Sequence, residues 1–148
     1  MGAQSFRVEA SCAAPRETVF ALLADIPRWH EWAGPMVPRS DLDRPGSPEP
    51  FGVGAVRRLG RAPIWSFEEI TRFEPPYLLA YELRAGLPVR GYRSEVALSE
   101  RPDGGSHLTW SSSFESAPAG TSRFFAFFLR TLVGGFARRL CAQAEKAG

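Results

Sequence analysis

Apolar and polar side chains alternate along three stretches of the chain, as they do in half-buried β-strands. Gln4–Ala13 places Phe6, Val8 and Ala10 on one side and polar residues on the other. The stretches Gly91–Leu98 and His107–Phe114 alternate in the same way, and Pro102–Gly105 lies between them with residues that favour a turn. The pattern therefore predicts a first strand near the N-terminus and a β-hairpin late in the chain.

After this hairpin the spacing of apolar residues changes to that of a helix. From Thr121 to Lys146 they recur every three or four residues, which predicts a helix of roughly 39 Å at 1.5 Å per residue. Phe127 lies opposite the main apolar stripe. The stripe should face a sheet, and it consists of Phe125, Phe128, Leu129, Leu132, Phe136 and Leu140.

The remaining segments complete an α+β pattern in a single domain, residues 1–148. Pro15 opens a first helix, Ile26-Pro27 interrupts it, and Trp29–Trp32 predicts a second short helix. A proline-rich loop at residues 42–52 is expected to be flexible. Further strands are predicted near 36–41 and at 55–60, 64–73, 78–85, 92–100 and 107–115.

Composition narrows the function classes. Hydrophobic residues make up 44% of the 148 residues, charged residues 23%, and the net charge of +2 is spread along the chain, which argues against disorder and against nucleic-acid binding. No signal peptide or transmembrane stretch is apparent. Cys12 and Cys141 lack metal-site spacing, and we expect them to be free buried thiols in a reducing cytoplasm.

Few residues suggest catalysis. The two histidines, His30 and His107, are expected to have structural or solvent-facing roles, and no spacing suits a metal or a phosphate-binding loop, so we expect no cofactor. Glu68 is predicted to face inward, either paired with Arg57 or Arg58 or free to orient a ligand. Beside the hydroxyl of Tyr81 or Tyr92, this carboxyl group is the one candidate acid–base apparatus.

Several segments together resemble a known family. They are Leu23–Trp29 with Trp32, Gly54–Leu59, Phe67–Tyr81, Tyr92–Leu98, Gly104–Trp110 and the terminal helix. In this order the chain resembles the START-like helix-grip (SRPBCC) superfamily and, within it, the polyketide cyclase/dehydrase-like proteins. The resemblance implies an antiparallel sheet of about seven strands around the C-terminal helix, with a pocket between them. Members bind lipids, polyketides, hormones or quinones, and some are cyclases, so the fold alone does not identify a reaction.

The sequence therefore predicts a cytoplasmic binding protein for a small hydrophobic or aromatic ligand, lipid- or polyketide-like. The ligand should occupy a cavity of about a few hundred cubic ångströms between sheet and helix. Trp32 and the loop at residues 42–52 are predicted to form its mouth. The residues predicted to contact the ligand are Trp32, Trp65, Tyr81, Tyr92, Ser94, Trp110, Phe125, Phe128, Leu132 and Phe136.

Two alternatives remain open at this stage. In the first, the chain is an enzyme, a cyclase or dehydratase that positions a flexible substrate in its pocket and moves protons with Glu68 and Tyr81 or Tyr92. An unpaired Glu68 would favour that alternative. In the other, Phe124 and Phe127, beside Arg123 and Arg130, form an exposed patch for a protein partner, a membrane-bound lipid or a second copy of the chain.

Overall fold

A computed structural model describes residues 2–147, in which a seven-stranded antiparallel sheet curves around one long helix. The order across the sheet is β1-β7-β6-β5-β4-β3-β2, so the first strand pairs with the last. The strands are β1 (Gln4–Cys12), β2 (Arg39–Arg44), β3 (Val56–Arg61), β4 (Ile64–Glu74), β5 (Leu78–Ala85), β6 (Arg93–Glu100) and β7 (Ser106–Phe114).

Three helical segments accompany the sheet. Helix α1 (Arg16–Ala24) follows Pro15, as predicted, because proline lacks the N–H group that would be unpaired at that position. A short 3-10 helix, α2, spans Ile26–Glu31 and packs against β2. The long C-terminal helix, α3, spans Ser122–Ala147. Within residues 2–147, no helix carries an apolar stretch long enough to cross a membrane.

The core lies between the concave face of the sheet and α3. Trp110 of β7 is fully buried and lies 5.9 Å from Phe136 of α3, ring centroid to centroid, while Trp29 of α2 lies 5.4 Å from the same ring. The alternation predicted for β6 and β7 is present, with every second residue buried. The fold class and the helix-grip arrangement are confirmed.

Two local predictions need correction. The strand expected near residues 36–41 instead spans Arg39–Arg44, because Pro35 and Pro38 cannot donate the hydrogen bonds that a paired strand requires. The short helix expected at Trp29–Trp32 begins earlier, at Ile26, and includes Pro27 near its start. Proline is tolerated there because the first N–H groups of a helix have no partner within it.

The prediction of free cysteines is wrong. Cys12 at the end of β1 and Cys141 in α3 form a disulfide across a sequence separation of 129 residues. Nothing in the sequence indicated that the two cysteines are close, because their proximity depends on how α3 packs against the edge strand β1. The premise of the predicted cytoplasmic location, a pair of reduced thiols, is removed with it.

Candidate functional site: a cavity between the sheet and the long helix

An apolar cavity of about 100 Å³ lies at the predicted place, between the sheet and α3. It is smaller than the few hundred cubic ångströms expected from the sequence, because Trp29, Trp110 and Phe136 fill the centre of the concave space. The cavity is lined by Met36, Val37, Leu59, Gly60, Ile64, Trp65, Ser66, Glu68, Tyr81, Gly86, Leu87, Tyr92, Phe128, Leu129, Leu132, Val133 and Phe136.

Six of the ten residues predicted to contact a ligand lie in this wall. Three come from strands or their edges and three from α3: Trp65, Tyr81, Tyr92, Phe128, Leu132 and Phe136. Glu68, the candidate acid–base residue, also lines the cavity. Strand alternation and helical spacing of three or four residues predicted the inward faces of the two tyrosines and the three α3 residues. Trp65 lies three residues from Glu68 on β4 and has the opposite parity, so alternation does not account for its place in the wall.

The other four predicted residues lie outside the wall. Trp32 and Trp110 belong to the closed aromatic core around Trp29. Ser94 is buried and hydrogen bonds to Ser112 at 2.7 Å, and Phe125 is half-buried beside Phe124 at the start of α3. Ser94 and Trp110 face inward as strand alternation predicted, but alternation does not give the position of a residue along the length of α3.

The mouth also differs from the one expected. None of the residues 42–52 lines the cavity, and Glu49–Phe51 border a shallow groove beside α1 instead. The exposed side chains among the lining residues are Met36 and Ile64, 55% and 71% exposed. Met36 lies in the loop before β2 and Ile64 is the first residue of β4, and no sequence pattern distinguished them as the border of a site. We use the word mouth below for the opening that they border.

A glycine shapes one side of this mouth. Gly86 has a φ of +115°, a conformation that residues with a side chain rarely adopt, and a Cβ atom there would collide with the backbone carbonyl of Trp65. The close approach of these two backbones brings Leu87 into the cavity wall beside Trp65. The strands predicted at 78–85 and 92–100 imply a connection around Gly86, but nothing in the sequence indicated that this connection contributes to a site.

Glu68 is paired rather than free, as one of the two predicted arrangements required. Arg57 Nε donates a hydrogen bond to Glu68 Oε1 at 2.9 Å, and Ser66 Oγ donates to Oε2 at 3.3 Å. Arg57 has no exposed surface and its guanidinium lies between two aromatic rings, 4.2 Å from Trp29 and 4.4 Å from Tyr81. Such stacking compensates a buried cation in part.

The guanidinium is not fully satisfied. Arg57 Nη2 lies 2.9 Å from Glu68 Oε1, but neither Nη1 nor Nη2 makes a hydrogen bond with a residue in the range 2–147. The buried pair therefore depends on the Nε bond and on the two flanking rings.

Two buried tyrosines, Tyr81 and Tyr92, also contribute to the cavity wall. Trp110 Nε1 donates to the Tyr81 hydroxyl at 3.2 Å. Burial raises the pKa of Tyr81 well above its ordinary value, and burial likewise raises the pKa of Tyr92, with hydrogen bonds from Ser94 and Ser112 opposing part of that change. Both phenols therefore stay protonated at neutral pH and can donate hydrogen bonds.

The raised pKa values of Tyr81 and Tyr92 can be tested by titrating the protein with alkali. A group whose pKa is raised by folding stabilises the fold below its unfolded pKa, near 10 for tyrosine, and that stabilisation is lost as the pH rises toward the folded value. The tyrosinate absorbance of Tyr81 and Tyr92 at about 295 nm should therefore appear only as alkali unfolds the protein, followed by circular dichroism. Tyr92→Phe should remove part of this delayed signal. Absorbance from Tyr92 that precedes unfolding would contradict the assignment.

The histidines have the structural roles expected of them. His30 Nδ1 lies 3.0 Å from Ser40 Oγ, and His107 Nε2 lies 2.9 Å from Glu9 on the outer face of the sheet. Neither residue is part of the cavity wall. Among residues 2–147, no group of His, Cys, Asp and Glu is arranged to hold a metal ion.

Comparisons with known proteins agree with this geometry. The sequence matches the family described as "Polyketide cyclase / dehydrase and lipid transport" over residues 3–147. A search of curated proteins by sequence found no match. Similar solved structures show the same fold at low identity, and three of them are described next.

The structure of Ara h 8.0201 is 13% identical, with a TM-score of 0.77 and coverage of 97% of this chain and 98% of that one. The protein XoxI from Bacillus cereus is 19% identical, with a TM-score of 0.74 and coverage of 97% and 95%. An uncharacterised protein from Bacillus thuringiensis is 19% identical, with a TM-score of 0.77 and coverage of 95% and 98%. The chain thus belongs to the polyketide cyclase/dehydrase and lipid transport family, within the SRPBCC superfamily.

Proposed function

We propose that this chain binds a small apolar ligand that carries one hydroxyl group, with its apolar part in the cavity between the sheet and α3. The observation that carries the proposal is the composition of the cavity wall. It is almost entirely apolar, and its ionisable side chains are Glu68, Tyr81 and Tyr92. A few convergent polar groups in an apolar cavity are typical of a ligand site. The family description, which includes lipid transport, supports the same class of ligand.

The volume limits how much of the ligand is enclosed. An apolar cavity of about 150 Å³ accommodates benzene, whereas sites for larger ligands span about 300–1,000 Å³. At about 100 Å³, this cavity encloses a short branched chain, whereas a ring fits only with part of it in the mouth. A longer ligand would extend through the mouth, between Met36, Ile64 and Phe128.

The polar groups favour a hydroxyl over a charged group. The Glu68 carboxylate has acceptor positions beyond those used by Arg57 and Ser66, and an O–H group can donate to one of them. A neutral Tyr92 phenol can donate to the same ligand oxygen. A ligand carboxylate, in contrast, would be repelled by Glu68.

The Arg57–Glu68 pair supports binding over proton transfer. The enzyme alternative needs a carboxyl group that exchanges a proton with the substrate, and Glu68 is engaged instead by a buried guanidinium at 2.9 Å. Binding requires only that the cavity accept the ligand and orient its hydroxyl. Catalysis by Glu68 with Tyr81 or Tyr92 stays the second hypothesis, without a structural observation that favours it.

Two measurements test the proposal. Native mass spectrometry of the protein purified from its own host should reveal a retained apolar ligand. Titration with phenol and with toluene, followed by NMR, should show saturable shifts at the leucine and valine methyls of the cavity wall. Phenol should bind at least about threefold more tightly than toluene, since one hydrogen bond contributes on the order of 1 kcal/mol.

A matched pair of variants locates the site. Leu132→Trp fills the cavity from α3 and should weaken binding of phenol at least about tenfold, whereas Thr131→Trp, on the exposed side of the same helix, should not. Equal weakening in both variants, or no saturable shift in the wild type, would reject the cavity as the site. Tighter binding of toluene than of phenol would reject the proposed hydroxyl group of the ligand and would leave the cavity as the binding site.

A further inference from the structure

The mouth of the cavity continues into an exposed apolar surface on α3. Phe124 and Phe127 are 62% and 72% exposed, and Met36 and Ile64 at the mouth are 55% and 71% exposed. An exposed cluster of large apolar side chains is unusual on a free protein surface and marks a contact site. We call this surface the mouth patch; it consists of Met36, Ile64, Leu87, Phe124, Phe127 and Phe128.

The patch is continuous. The rings of Phe124 and Phe128 are stacked, 6.4 Å apart at an angle of 10°, and Phe128 also lines the cavity. Phe127 follows Phe124 by three residues on the helix and is therefore its neighbour on the helix surface. The same geometry places Arg123 and Arg130 beside Phe127, four residues before and three residues after it. The apolar strip thus runs from the cavity to a pair of arginines.

The charges around the patch have one sign. All residues that line the cavity, apart from Glu68 and Tyr81, lie in the ranges 32–40, 59–66, 85–92 and 121–140. These ranges contain no aspartate or glutamate. Seven of the 18 basic residues lie in them, but none of the 16 acidic residues does. These seven residues are Arg39, Arg61, Arg90, Arg123, Arg130, Arg138 and Arg139.

The seven arginines also lack acidic partners. None of them forms an ion pair with a carboxylate of residues 2–147, although arginines on other surfaces do, such as Arg72 with Glu74 and Glu95. The net charge of the whole chain is only +2. The ranges that supply the mouth and the helix beside it therefore carry basic residues without acidic ones, and Arg123 and Arg130 lie next to Phe127.

From the apolar patch and its arginine border we infer that the mouth docks on an anionic lipid bilayer. Phenylalanine and aliphatic side chains enter the boundary between headgroups and acyl chains, while basic residues around them contact anionic headgroups. Docking in this orientation opens the cavity directly toward the lipid. The inference goes beyond the proposed function, and it holds whether or not phenol or toluene binds in the cavity.

The same observations disfavour other occupants. A second copy of the chain placed face to face would bring Arg123 and Arg130 close to the same arginines of the other copy, since a two-fold interface joins identical patches. The phosphates of a nucleic acid would pair with the arginines, but they would make no favourable contact with the apolar side chains of Met36, Ile64 and Leu87. A lipid surface accommodates both the charge and the apolar side chains.

Cosedimentation of the full chain with vesicles tests the inference. We expect binding to vesicles of phosphatidylcholine mixed with phosphatidylglycerol, weaker binding as salt is added, and little binding to pure phosphatidylcholine. Phe127→Asp and the double variant Arg123→Glu/Arg130→Glu should each bind the anionic vesicles at least about tenfold more weakly, since each basic residue near such a surface contributes on the order of 1 kcal/mol.

Matched variants on other surfaces complete the experiment. Tyr77→Asp changes another exposed aromatic residue, 53% exposed, and Arg93→Glu changes an exposed arginine on the outer face of the sheet. Both should bind as the wild type does. Equal loss in these controls, or no binding of the wild type to anionic vesicles at low salt, would overturn the inference. A wild-type dimer in light scattering that Phe127→Asp converts to a monomer would assign the patch to a second copy and would also overturn it.

Discussion

Arg57→Ala is expected to lower the free energy of unfolding by about 3–5 kcal/mol, because the substitution leaves the Glu68 carboxylate without its cationic partner in the interior. Arg57 is fully buried and Glu68 is 6% exposed, so water cannot replace the lost partner without disturbing the core. The substitution also removes the guanidinium from between Trp29 and Tyr81. Urea denaturation of the variant and the wild type measures the difference.

Two controls separate the ion pair from other effects. Arg58→Ala, at the next position of β3, removes a partly exposed pair with Asp41 and should cost only about 1 kcal/mol or less. The double variant Arg57→Met/Glu68→Leu removes both charges and should recover most of the stability lost in Arg57→Ala, as happens when a whole buried pair is replaced by apolar residues. A double variant less stable than Arg57→Ala would show that the pair itself is not the reason for the loss.

Reduction of the Cys12–Cys141 disulfide should lower the free energy of unfolding by about 4–5 kcal/mol. The bond closes a loop spanning a sequence separation of 129 residues, and cross-links across long loops restrict the unfolded chain most. It also ties β1, at one edge of the sheet, to α3. Urea denaturation with and without a reducing agent measures the change.

The cysteines themselves provide the control. In the variant Cys12→Ala/Cys141→Ala, the reducing agent should not change the urea midpoint, because no other cysteine is present in the sequence. The oxidation state is checked directly by alkylating the denatured protein before reduction and weighing it. Two alkyl groups on protein freshly purified from its host would show that the thiols are free there, against the structure.

The order of the elements was readable from the sequence because short-range rules determine it. Alternation over His107–Phe114 and helical spacing over Thr121–Lys146 each reflect one buried face, which is a local property of strands and helices. Proline gave the start of α1 for an equally local reason, its missing N–H group. The same periodicity placed Tyr81, Tyr92, Phe128, Leu132 and Phe136 on inward faces, and all five line the cavity.

Local rules could not decide which inward residues meet. The cavity is small because Trp29 and Trp110 fill the space beside Phe136, and that depends on side chains from three distant segments. The choice of Arg57 over Arg58 as the partner of Glu68 depends on the register of β3 and β4, in which residues 57 and 68 are directly opposite. The mouth depends on Met36 and Leu87, which lie in connections, and on Ile64, the first residue of β4.

The sequence by itself thus determined the helix-grip architecture and the apolar character of its interior, since both follow from which residues along each strand and helix avoid water. Only the tertiary structure decided the disulfide, the buried ion pair, the volume of the cavity and the apolar patch that continues from its mouth. Each of these depends on distances between residues far apart in the chain, and such distances exist only after the sheet has curved around α3.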